Sequence, residues 1–296
     1  MAVFTLNFLS VKLHCHTDVT IVMPDFAGAS RNPAYTGKEP ADYFKDQKDL
    51  AVVYLLHGAG GDHNDWLRAT PLEMIAQQRN LVFVCPNGMS SDYADISILW
   101  GGYDFPGYLF DELMPMMQNC YPITSDPAKT FICGFSMGGN GAIVLSLMRP
   151  HVFGCAGAFA GSLRDVDDLR PWASMTSAEF RVEGFDTTRF HGIYPPGFNQ
   201  KEVNMIARYP TVGDFLASPE NTWDRYLEVF EKGELPQLWV TVGSEDRCTG
   251  RVNKFKELAA KIGDTKTVFS EIPGHRHTYM MAAIALQNFL DYIAEK

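Results

Sequence analysis

Thr130-Phe131-Ile132-Cys133-Gly134-Phe135-Ser136-Met137-Gly138-Gly139 is the stretch on which the fold turns. Its first four residues form an apolar run of strand type, and Gly134, Ser136 and Gly138 follow with the spacing G-x-S-x-G. A serine on a sharp turn between a strand and a helix needs small residues two before it and two after. A side chain at either place would collide with the flanking backbone. Residues 139–148 then read as a helix, in which Gly141, Ala142 and Ile143 permit close packing on the strand. The turn and the helix N-terminus together expose the hydroxyl and aim N–H groups at it. An ordinary glycine-rich loop can carry the same pentapeptide by chance, so the reading rests on partners elsewhere in the chain.

A serine hydroxyl is a weak nucleophile at neutral pH unless a base takes its proton, and that base is most often a histidine oriented by a carboxylate. Both are available late in the chain. Leu238-Trp239-Val240-Thr241-Val242 reads as a buried strand ending in Gly243-Ser244-Glu245-Asp246, and a strand over 267–272 leads to Pro273-Gly274-His275-Arg276-His277. Ligands of open α/β sheets bind beyond the carboxyl ends of the strands, which puts serine, acid and histidine on one rim. Asp246 is favoured over Glu245 as the acid. His277 is favoured over His275 as the base because it stands at the mouth of a last helix, 278–293. That helix carries Tyr279, Ala283, Leu286, Phe289, Leu290 and Ile293 at helical spacing. His275 stays a competitor. Ala51-Val52-Val53-Tyr54-Leu55-Leu56 ends in His57-Gly58-Ala59-Gly60-Gly61, where glycines let an N–H turn toward a substrate carbonyl. The expected oxyanion donors are the backbone amides of Ala59 and of Met137, the residue after the nucleophile. His57 is expected to pack under that turn, since the base is needed on the other side of the serine.

With these residues in place the chain resembles the putative-esterase family of α/β-hydrolases. That group contains tributyrin esterases, feruloyl and acetyl-xylan esterases and S-formylglutathione hydrolases. The resemblance is carried by Tyr54-Leu55-Leu56-His57-Gly58 with Asn64-Asp65-Trp66, by Asp111-Glu112-Leu113-Met114-Pro115, by Gly134 to Gly139, by Gly243 to Asp246 and by His277-Thr278-Tyr279. Residues 1–25 are similar to the opening of the tributyrin-esterase subgroup. The resemblance implies an α/β-hydrolase fold, with a mostly parallel central sheet, helices on both faces and a cap-like insertion. It makes Ser136 the nucleophile, Asp246 the acid and His277 the base. Two departures stand out. The family usually has a tryptophan two residues after the base, where this chain has Tyr279. The formylglutathione hydrolases follow their glycine turn with a cysteine-containing stretch that Gly58-Ala59-Gly60-Gly61 lacks.

A chain of 296 residues, 46% of them hydrophobic, can bury a full core and fits one α/β domain over residues 1–296. A net charge of −10 disfavours nucleic-acid and anionic-membrane partners, which need a basic surface. It also disfavours a highly anionic substrate. No signal-peptide pattern opens the chain and no apolar run has the length of a membrane span, so a cytoplasmic location is expected. Six scattered cysteines suit a reducing compartment better than a disulfide framework. The expected partner is a small-molecule ester, and a homo-oligomer is left open.

Two antiparallel strands are expected over 4–24, a surface loop over 31–48, helices over 71–78 and 111–120, and strands over 51–56, 81–85 and 153–160. Strands alternating with helices give a parallel sheet covered on both faces. From 163 to 235 the pattern degrades into an aromatic-rich stretch that includes Trp172, Phe180, Phe185, Phe190, Tyr194 and Phe215. It reads as a lid or cap-like insertion walling the substrate pocket, with many of its aromatics burying its own small core. Asp92-Tyr93 and Leu99-Trp100-Gly101-Gly102-Tyr103 also approach the rim.

His14-Cys15-His16 and His275-Arg276-His277 place paired imidazoles on a strand face, and Asp62-His63-Asn64-Asp65 clusters ligand atoms. No CxxC or HExxH spacing supports zinc, so no metal is expected. The glycines form neither a dinucleotide fingerprint nor a phosphate loop, so no cofactor is expected. Cys133 beside the turn reads as a buried, inert thiol. The expectation is a serine carboxylesterase acting on short acyl chains, acetyl to butyryl, on sugar or aryl alcohols. The alternatives are a thioesterase of the formylglutathione type, an acyl transferase, or a non-catalytic α/β-hydrolase used for binding.

Overall fold

Apolar runs become the strands of a single eight-stranded sheet: β1 (Ala2–Ser10), β2 (Cys15–Met23), β3 (Ala51–Leu56), β4 (Leu81–Pro86), β5 (Thr130–Phe135), β6 (Cys155–Phe159), β7 (Leu238–Gly243) and β8 (Val268–Ile272). The structure, a computed structural model, describes residues 1–26, 37–95, 97, 102–179 and 205–295. Strand order is β1-β2-β4-β3-β5-β6-β7-β8. The β1–β2 hairpin and the β2–β4 pair are antiparallel, and every pair from β4 to β8 is parallel. Strands β4, β6 and β7 are buried at every residue. This is why they read as unbroken apolar runs: a parallel strand covered on both faces has no polar side to show.

The helices are α1 (Pro40–Asp46), α2 (Asp65–Ala69), α3 (Leu72–Arg79), α4 (Met114–Cys120), α5 (Met137–Met148), α6 (Val212–Leu216), α7 (Thr222–Glu231), α8 (Thr249–Ile262) and α9 (Tyr279–Ala294). From β3 the chain crosses to β4 on one side, then returns past β3 to β5 and continues in the other direction. Right-handed crossovers therefore place α2 and α3 on one face and α5 on the opposite one. Helix α9 returns to pack on β6, β7 and α2, while α5 packs on β3, β5, β6 and α7. The reversal between β3 and β5 opens a crevice at their carboxyl ends, and both the glycine turn after β3 and Ser136 after β5 border it.

Several expectations need correction in detail. The loop expected over 31–48 contains α1, started by Pro40 and held by the buried Tyr43. One buried residue leaves no apolar period to read. Helix α5 begins at Met137 instead of 139, because the turn ends at Ser136 itself. The helix expected over 111–120 starts earlier, at Phe105, and passes through a π-helical stretch, Tyr108–Leu113, before α4. His14 lies outside β2, at φ 55° in the hairpin turn, so it does not share a strand face with His16. Helices α2 and α8 have no counterpart in the sequence reading. Of the rim residues, Leu99, Trp100 and Gly101, and in the insertion Phe180, Phe185, Phe190 and Tyr194, lie outside the described residues.

Candidate active site

Ser136 sits between β5 and α5 at φ 56°, ψ −111°, a left-handed conformation that a non-glycine residue holds only when its surroundings impose it. Its neighbours explain how the fold does so. A Cβ on Gly138 would lie 2.4 Å from the Leu56 carbonyl oxygen, and one on Gly134 would lie 2.6 Å from the Gly138 backbone. The turn is therefore pressed against the end of β3, with no room for a side chain at either glycine. The Ser136 amide donates to the Phe159 carbonyl at 2.8 Å, and its own carbonyl accepts from Asn140 N–H at 3.0 Å. These bonds pin the strained residue between β6 and the first turn of α5.

His277 Nε2 lies 2.8 Å from Ser136 Oγ, and His277 Nδ1 lies 2.9 and 3.0 Å from the two Asp246 carboxylate oxygens. An ionised carboxylate can only accept, so Nδ1 carries the proton and Nε2 is left to accept from the serine hydroxyl. The Asp246 side chain is fully covered and the His277 side chain is 14% exposed. Burial pushes His277 below its ordinary range, while Asp246 pulls the other way. The Cys248 amide donates to Asp246 Oδ1 at 2.7 Å and fixes the carboxylate from behind.

The competing residues point elsewhere. Glu245 is exposed and pairs with Arg276 at 3.1 Å. His275 Nδ1 turns back to the Pro273 carbonyl at 2.8 Å. Its own backbone carbonyl abuts Gly243, where a Cβ would approach within 2.2 Å. His57 is buried, donating from Nδ1 to the Gly58 carbonyl at 2.7 Å and accepting the Gly88 amide on Nε2 at 2.8 Å. Both its nitrogens are committed under the turn, and burial holds it below the usual histidine range.

Met137 is the first residue of α5, so its amide has no acceptor within the helix. Ala59, at the tip of the turn after β3, borders the same cavity as Ser136 and Met137. Tyr279 braces that turn. Its hydroxyl accepts from the Gly58 amide at 3.2 Å and donates to Asp65 Oδ2 at 2.9 Å. Asp65 Oδ2 in turn fills the space beside Gly61, where a Cβ would come within 1.8 Å of it. The indole N–H of Trp66 donates to the Leu56 carbonyl at 2.9 Å. The loop carrying His277 and the glycine turn are thus fastened through one phenol, a role sequence reading does not assign to Tyr279.

A cavity of about 420 Å³ opens beside Ser136. Val144, Met148, Val166, Met205 and Phe215 give it apolar walls, and Asn140, Ser162, Arg164 and Glu220 add polar groups. Arg164, Val166, Met205, Phe215 and Glu220 come from the segment 163–235, so that segment supplies one wall. Trp223 and Tyr226 are instead buried in its packing, and Tyr93 is buried with its hydroxyl on the His57 carbonyl at 2.9 Å. Glu220 also escaped the sequence reading. Its side chain is 8% exposed, one oxygen meets Arg208 at 3.4 Å, and the other is buried with no hydrogen-bond partner. Burial pushes its carboxyl up to about 7.

The ligand-rich clusters noted in the sequence are tied into the fold. His63 Nδ1 meets Thr20 Oγ1 at 2.7 Å, Asp62 pairs with Arg68 at 2.9 Å, and His16 Nδ1 meets Asn7 at 3.0 Å. Cys133 is buried, and burial pushes its thiol well up. Among the described residues no helix is long and apolar enough to cross a membrane.

A family model described as putative esterase matches residues 38–284. An acetyl esterase from Caldicellulosiruptor saccharolyticus is 29% identical over 145 residues, 48% of this chain and 50% of that protein. An endo-1,4-beta-xylanase/feruloyl esterase from Xylanibacter ruminicola is 27% identical over 132 residues, 42% of this chain and 18% of that protein. The matches thus span half or less of these relatives' own length. Among solved structures, the fluorophosphonate-binding serine hydrolase FphF of Staphylococcus aureus superposes with a TM-score of 0.70 at 19% identity, covering 99% of this chain and 98% of that one. The S-formylglutathione hydrolase FrmB of the same organism gives 0.68 at 18% identity, with 99% and 98% coverage. At these identities the likeness establishes the fold, an α/β-hydrolase sheet with its helices.

Proposed function

The chain belongs to the putative-esterase family, and from that premise we propose that it is a serine carboxylesterase that releases short acyl groups through an acyl-enzyme. One observation carries the reading: the serine held in the strained turn, the histidine and the buried aspartate form a continuous hydrogen-bonded series of 2.8 and 2.9 Å.

Each group then has a step. Ser136 Oγ attacks the ester carbonyl as its proton passes to His277 Nε2. Asp246 holds the ring with its proton on Nδ1 and stabilises the imidazolium that forms. The amides of Ala59 and Met137 receive the oxyanion; one such donor is worth about 3 kcal/mol in the transition state. His277 returns the proton to the departing alcohol. It then takes one from water, whose oxygen attacks the acyl-enzyme, and hands that proton to Ser136 Oγ as the Oγ–acyl bond breaks, which frees the acid and restores the hydroxyl.

The substrate reading is a short acyl chain on a larger alcohol. A cavity of about 420 Å³ lies at the small end of ligand sites, roughly 300–1,000 Å³. Its mixed apolar and polar lining suits an alcohol that carries hydroxyl groups, such as a sugar or an aryl alcohol. The 163–235 segment acts as a wall of this pocket.

Hydrolysis of p-nitrophenyl esters from acetate to decanoate, by wild type and Ser136→Ala, tests the reading. Rates should fall with chain length and vanish in the variant. S-formylglutathione, run beside the series, tests the thioesterase alternative. Turnover of the thioester alone would replace carboxylesterase with thioesterase. Folded protein inert toward both would leave a transferase or a binding role.

A further inference from the structure

Among the described residues, Asp246, Cys248 and His277 are the one set of three His, Cys, Asp or Glu side chains whose donor atoms all lie within 4.8 Å of one another. The carboxylate and the imidazole serve the reaction described above. The thiol does not, yet its sulfur stands 3.8 Å from His277 Nδ1. Cys248 also borders the substrate cavity, which gives a cation from solvent a route to it.

We propose that these three side chains form an inhibitory site for a thiophilic divalent cation of the zinc type. The distances suit it. A tetrahedral ion with Zn–S about 2.3 Å and Zn–N and Zn–O about 2.0 Å sets its ligand atoms about 3.6 Å apart for N and S and about 3.3 Å apart for N and O. The corresponding separations here are 3.8 Å for sulfur and 2.9–3.0 Å for the carboxylate oxygens. Shifts of a few tenths of an ångström bring nitrogen into range of both partners. The carboxylate is preset for the task, because the Cys248 amide holds Oδ1 at 2.7 Å and leaves Oδ2 for the cation.

At rest the imidazole is neutral, with its proton on Nδ1. When the cation takes the Nδ1 lone pair, that proton relocates through solvent to Nε2. The thiol releases its own proton to solvent, so one proton leaves the protein for each ion bound. The set passes from a charge of −1 at rest to zero when cation, carboxylate, thiolate and neutral imidazole are together, so Arg247 and Arg251, which also border the cavity, lose the attraction of one negative charge but face no net positive one. With Nε2 protonated, it donates to Ser136 Oγ and can no longer accept the serine proton. The nucleophile is switched off while the fold is untouched. This consequence rests on the catalytic reading of Ser136 and His277, whereas cation binding stands on the geometry alone.

The test uses the full chain, Cys248→Ser and Cys248→Ala, each checked for a cooperative thermal transition. Zinc is titrated against p-nitrophenyl acetate hydrolysis, each protein being scored against its own metal-free rate. Cobalt(II) is titrated into the same proteins while the thiolate-to-metal charge-transfer band in the near ultraviolet is followed. The expectation is chelator-reversible inhibition of wild type, an apparent inhibition constant raised at least about tenfold in both variants, and a cobalt band that both variants lose. Equal zinc sensitivity in the variants overturns the proposal. So does a wild-type cobalt titration without a thiolate band, or a band that both variants keep. If the chain hydrolyses no ester, the cobalt band still decides the site, and it is the carboxylesterase reading that fails.

Discussion

Replacing Glu220 by glutamine gives a change of stability whose size and sign follow from the cavity wall. The carboxyl is 8% exposed, and one of its oxygens is buried without a partner. Arg208 pulls its proton affinity down, but the single contact of 3.4 Å is weak and burial wins, with Asp95 and Asp92 adding to it. The group therefore moves from 4.5 to about 7 on folding. At about 1.4 kcal/mol per pH unit, that gap is worth about 3 kcal/mol. Because the folded value is the higher one, the contribution is fully present below 4.5 and is lost as pH rises through about 7. The unfolded chain releases its proton first and is favoured across that window. Glutamine has nearly the same shape and releases no proton, so the variant escapes the loss. Urea unfolding of both proteins at a series of pH values should show the variant gaining about 3 kcal/mol on wild type from below 4.5 to above 7, then levelling off. A stability difference that does not change with pH would refute the reasoning. A difference that shrinks as pH rises would mean that Arg208 outweighs burial.

Asp246→Asn should lower kcat on the order of 10³- to 10⁴-fold by removing the acceptor that sets the ring proton, whereas Glu245→Gln, exposed and paired with Arg276, should change it little. The opposite ranking would move the acid role to Glu245. The kcat/KM profile should rise with pH through an inflection below 6.5, since protonated His277 cannot accept the serine proton and burial lowers its proton affinity. An inflection above that value would show Asp246 outweighing burial. Tyr279→Phe removes the phenol between the Gly58 amide and Asp65. It should cost about 1–3 kcal/mol in urea unfolding and lower kcat roughly tenfold by loosening an oxyanion donor, with KM nearly constant; an unchanged kcat would leave Tyr279 a purely structural brace.

Much of this site was legible because strain and burial leave marks in sequence. A serine held at φ 56° needs glycine on either side, and the walls seen at Gly134 and Gly138 are that need in three dimensions. Fully buried parallel strands had to be unbroken apolar runs. His277 could be favoured over His275 because a residue at a helix mouth is held on more sides than one in a loop, and His275 indeed turns back on its own loop. What stayed hidden depends on contacts between distant segments. Nothing in Ser218-Pro219-Glu220 announces a carboxyl buried in a cavity wall. Nor does Tyr279 announce the Asp65 carboxylate 214 positions earlier. Helix α8 begins at Thr249-Gly250 and has no side-chain cap, so its start carries no signal. Helix α1 buries only Tyr43.

The strand order divides the chemistry cleanly along the chain. The glycine turn and Ser136 follow β3 and β5, while Asp246 and His277 follow β7 and β8. Between the two groups lies the exposed turn at Gly233, whose φ of 72° places it at a sharp bend just before β7. On the proposed mechanism, a polypeptide opened there would yield a fragment able to present Ser136 but not to activate it, and another holding His277 with nothing to deprotonate. Their shared border would include the β6–β7 ladder, from Ala156 opposite Leu238 to Phe159 opposite Thr241, the packing of α9 on β6 and α2, and the Tyr279 bonds to Gly58 and Asp65. The molecule is thus laid out as two unequal but complementary parts, and on the proposed carboxylesterase reading ester turnover would report on whether they have met.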